Sequence, residues 1–256
     1  MKKTSSENRS ILIWGVHPVM EFLRAHPDVV QGLYALPAFG NKPAQRELLR
    51  LAEKQGIAVS RVKDFNRHGM AMGAVHQGVA AAVKPVWTAD LADIPQVWSA
   101  GGQPLVVVCD QVADPQNLGA IIRSATALGA HAVILPSKGS PAINGVIVKA
   151  SSGAIAHIKI CEVVNLVKAL HALKDMGLWV VGLSPEAGTA VWDIDLKGAV
   201  ALVAGAEGEG LRYLVKKSCD FVASIPLSPA VGSLNVASAT SIFLYEAARQ
   251  RRRGAV

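Results

Sequence analysis

The sequence has few cysteines and no pattern that would organise them. Cys109, Cys161 and Cys219 are its three cysteines, and no C-x-x-C pair occurs in the 256 residues. An odd, scattered set argues against a disulfide framework and against a structural zinc site. We therefore predict plain buried thiols and no bound metal.

Long apolar runs are also missing. No run reaches the ~20 residues that a bilayer-spanning helix requires. The polar and charged segment 1–10 lacks the apolar stretch of a signal peptide. We expect a soluble, cytoplasmic protein without membrane contact, and a disordered tail over residues 1–10.

Positive charge is concentrated in the first third of the chain. Residues 1–86 hold 12 Lys and Arg against 6 Asp and Glu, whereas residues 87–256 hold 14 against 13. A basic region beside a nearly neutral one is typical of a protein that holds a polyanion with its basic part. A solvated surface without particular function is the alternative reading of the charge alone.

Two patterns of apolar residues meet near residue 100, and both belong to the α/β class. Residues 11–84 predict a small α/β module, with strands at 11–13, 33–36 and 79–83 and helices starting near Pro18 and Pro43. Residues 85–104 are rich in Pro and Gly and predict a linker around one short helix. Residues 105–256 form a second domain, which we expect to be self-sufficient from about Gln103 onward.

The second domain alternates short apolar strands with helices. This pattern predicts a parallel sheet covered on both faces. Such sheets bind ligands at the carboxyl ends of their strands. The predicted strands are 105–109, 132–135, 157–161, 178–183, 200–204 and 221–225.

Three loops after these strands contain residues suited to chemistry. Residues 205–210 read G-x-x-G-x-G, which is neither a dinucleotide fingerprint nor a phosphate-binding P-loop, so a ligand loop and a tight turn both remain open. Asn117 is the predicted N-cap of the helix after strand 105–109, and Arg123 follows among apolar residues. Ser233 or Asn235 is the predicted cap of the last helix.

Together, residues 114–125, 202–211 and 225–239 resemble, in order, the three motifs of the SpoU family of knotted SPOUT methyltransferases. Residues 15–19 and 73–79 resemble the N-terminal substrate-binding domain of the 23S rRNA guanosine-2′-O-methyltransferases. The resemblance implies a parallel-sheet domain with a deep trefoil knot, preceded by an RNA-binding domain similar to the L30e fold. It also implies S-adenosyl-L-methionine as cofactor, 23S ribosomal RNA as substrate and a homodimer formed through the C-terminal domain.

The same resemblance implies roles for individual residues. Catalysis would rest on Arg123, Asn117, Glu207, Ser233 and Asn235, with Arg123 approaching the ribose 2′-hydroxyl and its phosphate. The cofactor would contact Leu183, Gly205, Glu207, Gly210, Ile225, Leu227 and Leu234. The chain departs from the family pattern at Pro229, where relatives usually have a glycine nearby, and at Ala156, where they often carry glutamate.

Four other functions are alternatives, among them an antibiotic-resistance rRNA methyltransferase of the same family. A tRNA 2′-O-methyltransferase would share the same motifs, and a non-catalytic ribosome-assembly factor would need only the RNA-binding domain. A nucleotide-dependent oxidoreductase would need a G-x-G-x-x-G loop after strand 105–109, which is absent.

Overall fold

A computed structural model describes residues 10–66, 70, 73–97 and 103–253. The predicted tail lies outside the described residues except for Ser10, as do residues 98–102 of the predicted linker. The elements, in chain order, are β1 (Ile11–Trp14), α1 (Val16–Ala25), β2 (Val30–Ala35), α2 (Pro43–Lys54), β3 (Val59–Arg61), β4 (Val79–Val83), α3 (Ile94–Val97), β5 (Leu105–Cys109), α4 (Pro115–Ala127), β6 (Ala132–Pro136), α5 (Gly145–Ala150), β7 (Lys159–Val163), α6 (Leu166–Asp175), β8 (Trp179–Leu183), β9 (Val200–Ala204), α7 (Tyr213–Lys217), β10 (Phe221–Ala223) and α8 (Val236–Arg253).

The chain divides into two compact units. The first comprises Met1–Trp87 together with Ala142–His157, and the second comprises Thr88–Pro141 together with Ile158–Val256. The domain bounds derived from the sequence remain a prediction. They did not assign Ala142–His157 to the first unit.

The first unit is built on a mixed sheet with the strand order β1-β4-β2-β3 among its described residues. β4 runs antiparallel to both of its neighbours, and β2 and β3 run parallel. Leu48 and Ala52 of α2 are buried, as are Phe22 and Leu23 of α1, and the two helices pack on each other. The predicted module is confirmed, although the short strand β3 was not predicted.

The segment Ala142–His157 joins the first unit through close backbone approach. Asn144 caps α5, and its side chain accepts from the amides of Val146 and Ile147 at 2.9 and 3.3 Å. A side chain at Gly145 would collide with the Trp14 ring and the Leu12 carbonyl of β1. α5 therefore lies directly against the edge strand of the first sheet.

The end of this segment contacts α1 and the turn that follows it. Glu21 lies 2.8 Å from the Nε2 of His157, and the His26 ring donates to the Ala156 carbonyl at 2.8 Å. Ala156 is only 6% exposed, so a glutamate at this position would bury its charge. A fragment starting near Gln103 would lack β1 and α1, which contact this segment. This loss argues against the prediction that such a fragment folds on its own.

The second unit contains a parallel sheet with the order β10-β8-β9-β5-β6-β7 among the described residues. Every residue of β5 and β9 is buried, which matches the prediction of a sheet covered on both faces. β7 starts at Lys159 rather than at His157. The strand starts later because the residues before it are not extended. Ser152 and Gly153 have φ values of 54° and 87°, and Ala154–His157 form a 3₁₀ turn.

The end of α8 is fastened to the amino-terminal edge of this sheet. Arg251 donates to the carbonyls of Gln103, Pro104, Leu196 and Gly198 at 2.7 to 3.1 Å. Burial lowers the pKa of its guanidinium from the ordinary value. Arg251 is therefore a structural residue, although it lies in the arginine-rich segment 249–253 near the end of α8. None of the described helices is long and apolar enough to span a lipid bilayer.

We expect Arg251→Met to lower the free energy of unfolding by about 2–4 kcal/mol, because it removes charge-assisted hydrogen bonds to four carbonyls. Arg252→Met, at the exposed neighbour, should change it by less than about 0.5 kcal/mol. Urea denaturation followed by circular dichroism measures both. Equal stability of the two variants would contradict the structural role of Arg251.

Candidate functional site

A cavity of about 290 Å³ opens where β8, β9 and β10 end, which is the edge where a parallel sheet binds ligands. It brings together residues that are distant in the sequence. Ser233 lines it, and so does every residue expected to contact the cofactor: Leu183, Gly205, Glu207, Gly210, Ile225, Leu227 and Leu234.

The glycine-rich loop after β9 is closed on itself. The amide of Ala206 donates to the Gly210 carbonyl at 3.0 Å, and the Gly210 amide donates back at 2.9 Å. Gly208 and Gly210 have φ values of 84° and 69°, which side chains disfavour. A Cβ at Gly205 would collide with the backbone of Gly210 and Leu211. Glycine is needed at 205 for the shape of the loop itself.

Three predicted catalytic residues form one hydrogen-bonded chain. The Asn235 amide donates to Oδ1 of Asn117 at 2.8 Å, and the Asn117 amide donates to Oε2 of Glu207 at 3.1 Å. These residues come from the start of α8, from α4 and from the glycine loop. Of the three, Glu207 lines the cavity, and the hydrogen bond from Asn117 fixes the orientation of its carboxylate.

The caps of the two helices differ in part from the prediction. α4 is capped by Asp114, whose carboxylate accepts from the amides of Gln116 and Asn117 at 3.2 and 3.0 Å. The prediction that Asn117 is the cap was wrong, and its side chain is instead available to Glu207. Asn235 does cap α8, accepting from Ala237 and Ser238 at 2.9 and 3.3 Å, which leaves Ser233 facing the cavity.

Arg123 does not take part in the chain of hydrogen bonds formed by Asn235, Asn117 and Glu207. It lies six residues after Asn117 on α4, so its side chain leaves the helix about a third of a turn away from that of Asn117. It is exposed, and no described residue forms a hydrogen bond or ion pair with it. Its guanidinium is thus accessible to a partner that is not part of the chain.

An ion pair between the buried Asp110 and the half-exposed Arg212 connects the loops that follow β5 and β9. Asp110 is fully buried, and its carboxylate accepts from the Arg212 amide at 2.9 Å and from Nε of Arg212 at 2.7 Å. The Nη2 of Arg212 lies 2.6 Å from the same carboxylate. Asp110 starts the loop that leads to Asp114 and Asn117, while Arg212 ends the glycine loop. The pair therefore sets the spacing of the two loops.

Pro229 is accommodated in a turn. The Val231 amide donates to the Ser228 carbonyl at 3.0 Å, which places Pro229 at the second position of the turn, where proline is favoured. The departure from the family pattern thus changes the composition of this loop while leaving a regular turn at its tip.

Sequence reasoning missed a polar group on the far wall of the cavity. Lys216 donates to the Ser184 hydroxyl at 3.3 Å and lies 3.8 Å from the Glu186 carboxylate, and all three line the cavity. Ser184 and Glu186 directly follow β8, so the rule that ligands bind at the carboxyl ends of parallel strands could have found them. Lys216 lies on α7, where no local signal distinguishes it.

The cysteines take no part in this site. Cys109 and Cys161 are buried, Cys219 is partly buried, and all three are free thiols. Burial raises the pKa of each to about 12, so none is a thiolate near neutral pH. Within the described ranges no cluster of His, Cys, Asp and Glu is arranged to hold a metal.

Arg212→Met should lower the free energy of unfolding by about 3 kcal/mol, because it leaves the buried carboxylate of Asp110 without a counter-charge. Arg212→Met combined with Asp110→Leu should recover much of this loss, since it removes both charges. Urea denaturation of the two variants and the parent measures the difference. A double variant no more stable than Arg212→Met would show that the buried charge is not the cause.

Comparison with known proteins gives matches to two families, one for each end of the chain. Residues 104–245 match the SpoU rRNA Methylase family, and residues 12–88 match the family described as RNA 2'-O ribose methyltransferase substrate binding. The chain is 38% identical over 242 residues to the 23S rRNA (guanosine-2'-O-)-methyltransferase RlmB of Escherichia coli (strain K12), covering 94% of this chain and 99% of that protein. For the protein of the same name from Pseudomonas aeruginosa, identity is 40% over 241 residues, 93% of this chain and 96% of the relative.

A solved structure shares the fold. The SpoU methyltransferase AviRb from Streptomyces viridochromogenes, in complex with the cofactor AdoMet, superposes with a TM-score of 0.76 at 27% identity, covering 95% of this chain and 91% of that one. With matches over both parts of its length, and with two motifs that line one cavity to which Asn117 of the remaining motif is hydrogen-bonded, this chain belongs to the SpoU rRNA methylase family.

Proposed function

We propose that this protein transfers a methyl group from S-adenosyl-L-methionine to the 2′-hydroxyl of a guanosine in 23S ribosomal RNA. The observation that carries the proposal is that the second and third motifs line one cavity, to which the first motif is joined by the hydrogen bond from Asn117 to Glu207. The relatives named for this reaction match nearly the whole chain, which supports the choice of RNA and nucleotide.

The cavity suits S-adenosyl-L-methionine in size and chemistry. Its volume is near the lower end of the range for small-molecule pockets. Apolar side chains of Leu183, Ile225 and Leu234 can cover an adenine ring, and the glycine loop exposes backbone groups to it. Glu207 and Glu209 supply negative charge toward a ligand that carries a sulfonium and an ammonium group.

When bound, S-adenosyl-L-methionine supplies an electrophilic methyl group on its sulfonium. The residues of the chain must position the RNA ribose beside it, and fixed placement of two reactants can contribute about 7–11 kcal/mol to a rate. Asn117 and Asn235 hold Glu207 in one orientation at the rim of the cavity. Ser233 faces the cavity beside them and completes the polar wall around the ribose.

Arg123 is assigned to the RNA backbone. Its exposed guanidinium can bind a phosphate with two parallel hydrogen bonds and stabilise negative charge that develops on the 2′-oxygen. Because a guanidinium stays protonated in proteins, its role is to position and stabilise; proton removal falls to another group. This role explains why Arg123 needs no partner within the described part of the chain.

Further properties follow from membership of the family. We propose that the end of the second unit threads a loop as a deep trefoil knot, that the first unit is similar to the L30e fold and binds the RNA, and that the protein acts as a homodimer through its second unit. Because the proposed substrate is ribosomal RNA, we also propose that the protein acts in the cytoplasm.

The direct test is transfer of a tritiated methyl group to purified RNA fractions. Label in 23S rRNA, recovered as 2′-O-methylguanosine, is the expected result. Label confined to tRNA would replace the substrate with the tRNA alternative. Absence of transfer from a protein that binds both RNA and cofactor would favour the ribosome-assembly alternative and contradict the proposal.

Arg123→Ala should lose most methyl transfer, while its affinity for the cofactor stays within about threefold, since Arg123 does not line the cavity. Arg123→Lys is the matched variant, because it keeps the charge but loses the planar fork. Turnover is measured at saturating RNA, and cofactor affinity by calorimetry. Near-normal turnover in Arg123→Ala would remove Arg123 from the catalytic group.

Gly205→Ala should already abolish cofactor binding, because even a methyl group collides with the backbone of Gly210 and Leu211 and deforms the loop. Gly198→Ala, where a Cβ meets no atom within 4 Å, is the control. Calorimetry with S-adenosyl-L-methionine and circular dichroism separate loss of binding from loss of fold. Parent-like affinity in Gly205→Ala would contradict the shape of this loop.

A further inference from the structure

The exposed face of α2 carries a row of positive charges. Lys42, Arg46, Arg50 and Lys54 are spaced four residues apart, and all four are exposed. Residues at this spacing lie about 40° apart around a helix and about 6 Å apart along it. They form one continuous strip, which we call the basic ridge. It lies within the region that matches the substrate-binding family.

The orientation of α2 leaves the basic ridge open. Leu48 and Ala52, on the opposite side of the helix, are buried, and α2 packs on α1 through that side. The charges therefore face away from the core of the first unit. Nothing in the packing of α2 requires four cations there, because exposed polar residues of any kind would solvate this face.

Three of the other described cations of the first unit are already used within the protein. Arg24 pairs with Glu47 at 2.6 Å and with Glu21 at 3.4 Å. Arg61 donates to the carbonyls of Leu36 and Phe39, both at 2.9 Å, and Lys149 donates to the Gln77 side chain at 3.2 Å. Their charges stabilise the fold.

The basic ridge differs in this respect. The side chains of Arg50 and Lys54 form no hydrogen bond or ion pair with the described residues, and Arg46 uses a single Nη1 bond to the Asn41 carbonyl at 2.7 Å. Among the acids of this face, Glu47 is neutralised by Arg24, which leaves Glu53 as the described carboxylate beside the ridge.

We propose that the basic ridge is the surface along which the first unit binds the phosphate backbone of its substrate RNA. Successive phosphates of an RNA strand present single negative charges at a regular spacing of a few ångströms, which a row of cations at a similar repeat can neutralise one by one. This inference rests on the proposed function and names the part of the first unit that holds the RNA. The contacts are to phosphates, so they fix position and leave the choice of nucleotide to the second unit.

Salt dependence tests the proposal, because each phosphate contact releases counterions. The variants are Arg50→Gln with Lys54→Gln on the ridge, and Lys168→Gln with Lys197→Gln on the second unit as a control of equal charge. Binding to a 23S rRNA fragment is titrated from low to moderate salt. The ridge pair should bind several-fold more weakly, with a log–log salt slope shallower by about 1.4–1.8, which corresponds to two lost contacts. The control pair should keep the parent slope.

A third variant should gain affinity. Glu53→Gln removes the carboxylate beside the ridge, so it should bind the RNA more tightly than the parent, a result that damage to the fold cannot produce. For all variants, S-adenosyl-L-methionine affinity and methyl transfer at saturating RNA should be unchanged, with only the KM for RNA shifted. A change in maximal transfer would contradict a role limited to RNA binding.

Equal losses of affinity and slope in the ridge pair and the control pair would overturn the basic ridge, because the effect would then follow total charge. A parent protein that transfers no methyl group to 23S rRNA, but whose ridge pair still loses salt slope, would overturn the proposed function and keep the ridge as an RNA surface. The two failures are therefore distinguishable.

Discussion

The carboxylate of Asp110 is fully buried at the edge of the parallel sheet, and a buried carboxylate requires a partner. Arg212 supplies it through its amide, Nε and Nη2, and thereby joins the loop after β5 to the end of the glycine loop. With these loops held at one spacing, Asn117 reaches Glu207 and Asn235 reaches Asn117. The orientation of the polar groups at the cavity thus depends on one ion pair whose two residues do not line the cavity.

The first unit differs from the second, because the charged side chains of its helix α2 are exposed instead of buried. Its core is closed by α1, α2 and the returning segment Ala142–His157, while Arg50 and Lys54 of α2 form no ion pair with the described residues. That segment lies between β6 and β7 in the chain, so the two units are connected at three points along the backbone. Under the proposals made above, the basic ridge contributes to RNA affinity and Arg123 to the transfer step, so a ridge variant is expected to weaken RNA binding without slowing transfer at saturating RNA.

Sequence reasoning predicted the parallel sheet and the residues around its cavity because apolar strands, glycines and motif order are local signals. It predicted Ser233 or Asn235 as the cap of α8, and the cap is Asn235. It misassigned the cap of α4, since Asp114 and Asn117 both suit a helix start and only the position of Glu207 decides between them. It could not find Lys216, the Asp110–Arg212 pair or the four carbonyls held by Arg251, since each joins residues far apart in the sequence. The return of Ala142–His157 to the first unit depends on Gly145 meeting Trp14, which no local pattern encodes.

The central claim is 2′-O-methylation of a guanosine in 23S ribosomal RNA. Its most direct measurement is a comparison of 2′-O-methyl sites in ribosomal RNA from the parent cells and from cells that lack this protein. The account predicts that one guanosine of 23S rRNA loses its methyl group in the deletion and regains it when the intact gene, but not the Arg123→Ala variant, is restored. An unchanged 23S rRNA methylation map, or restoration by Arg123→Ala, would contradict it.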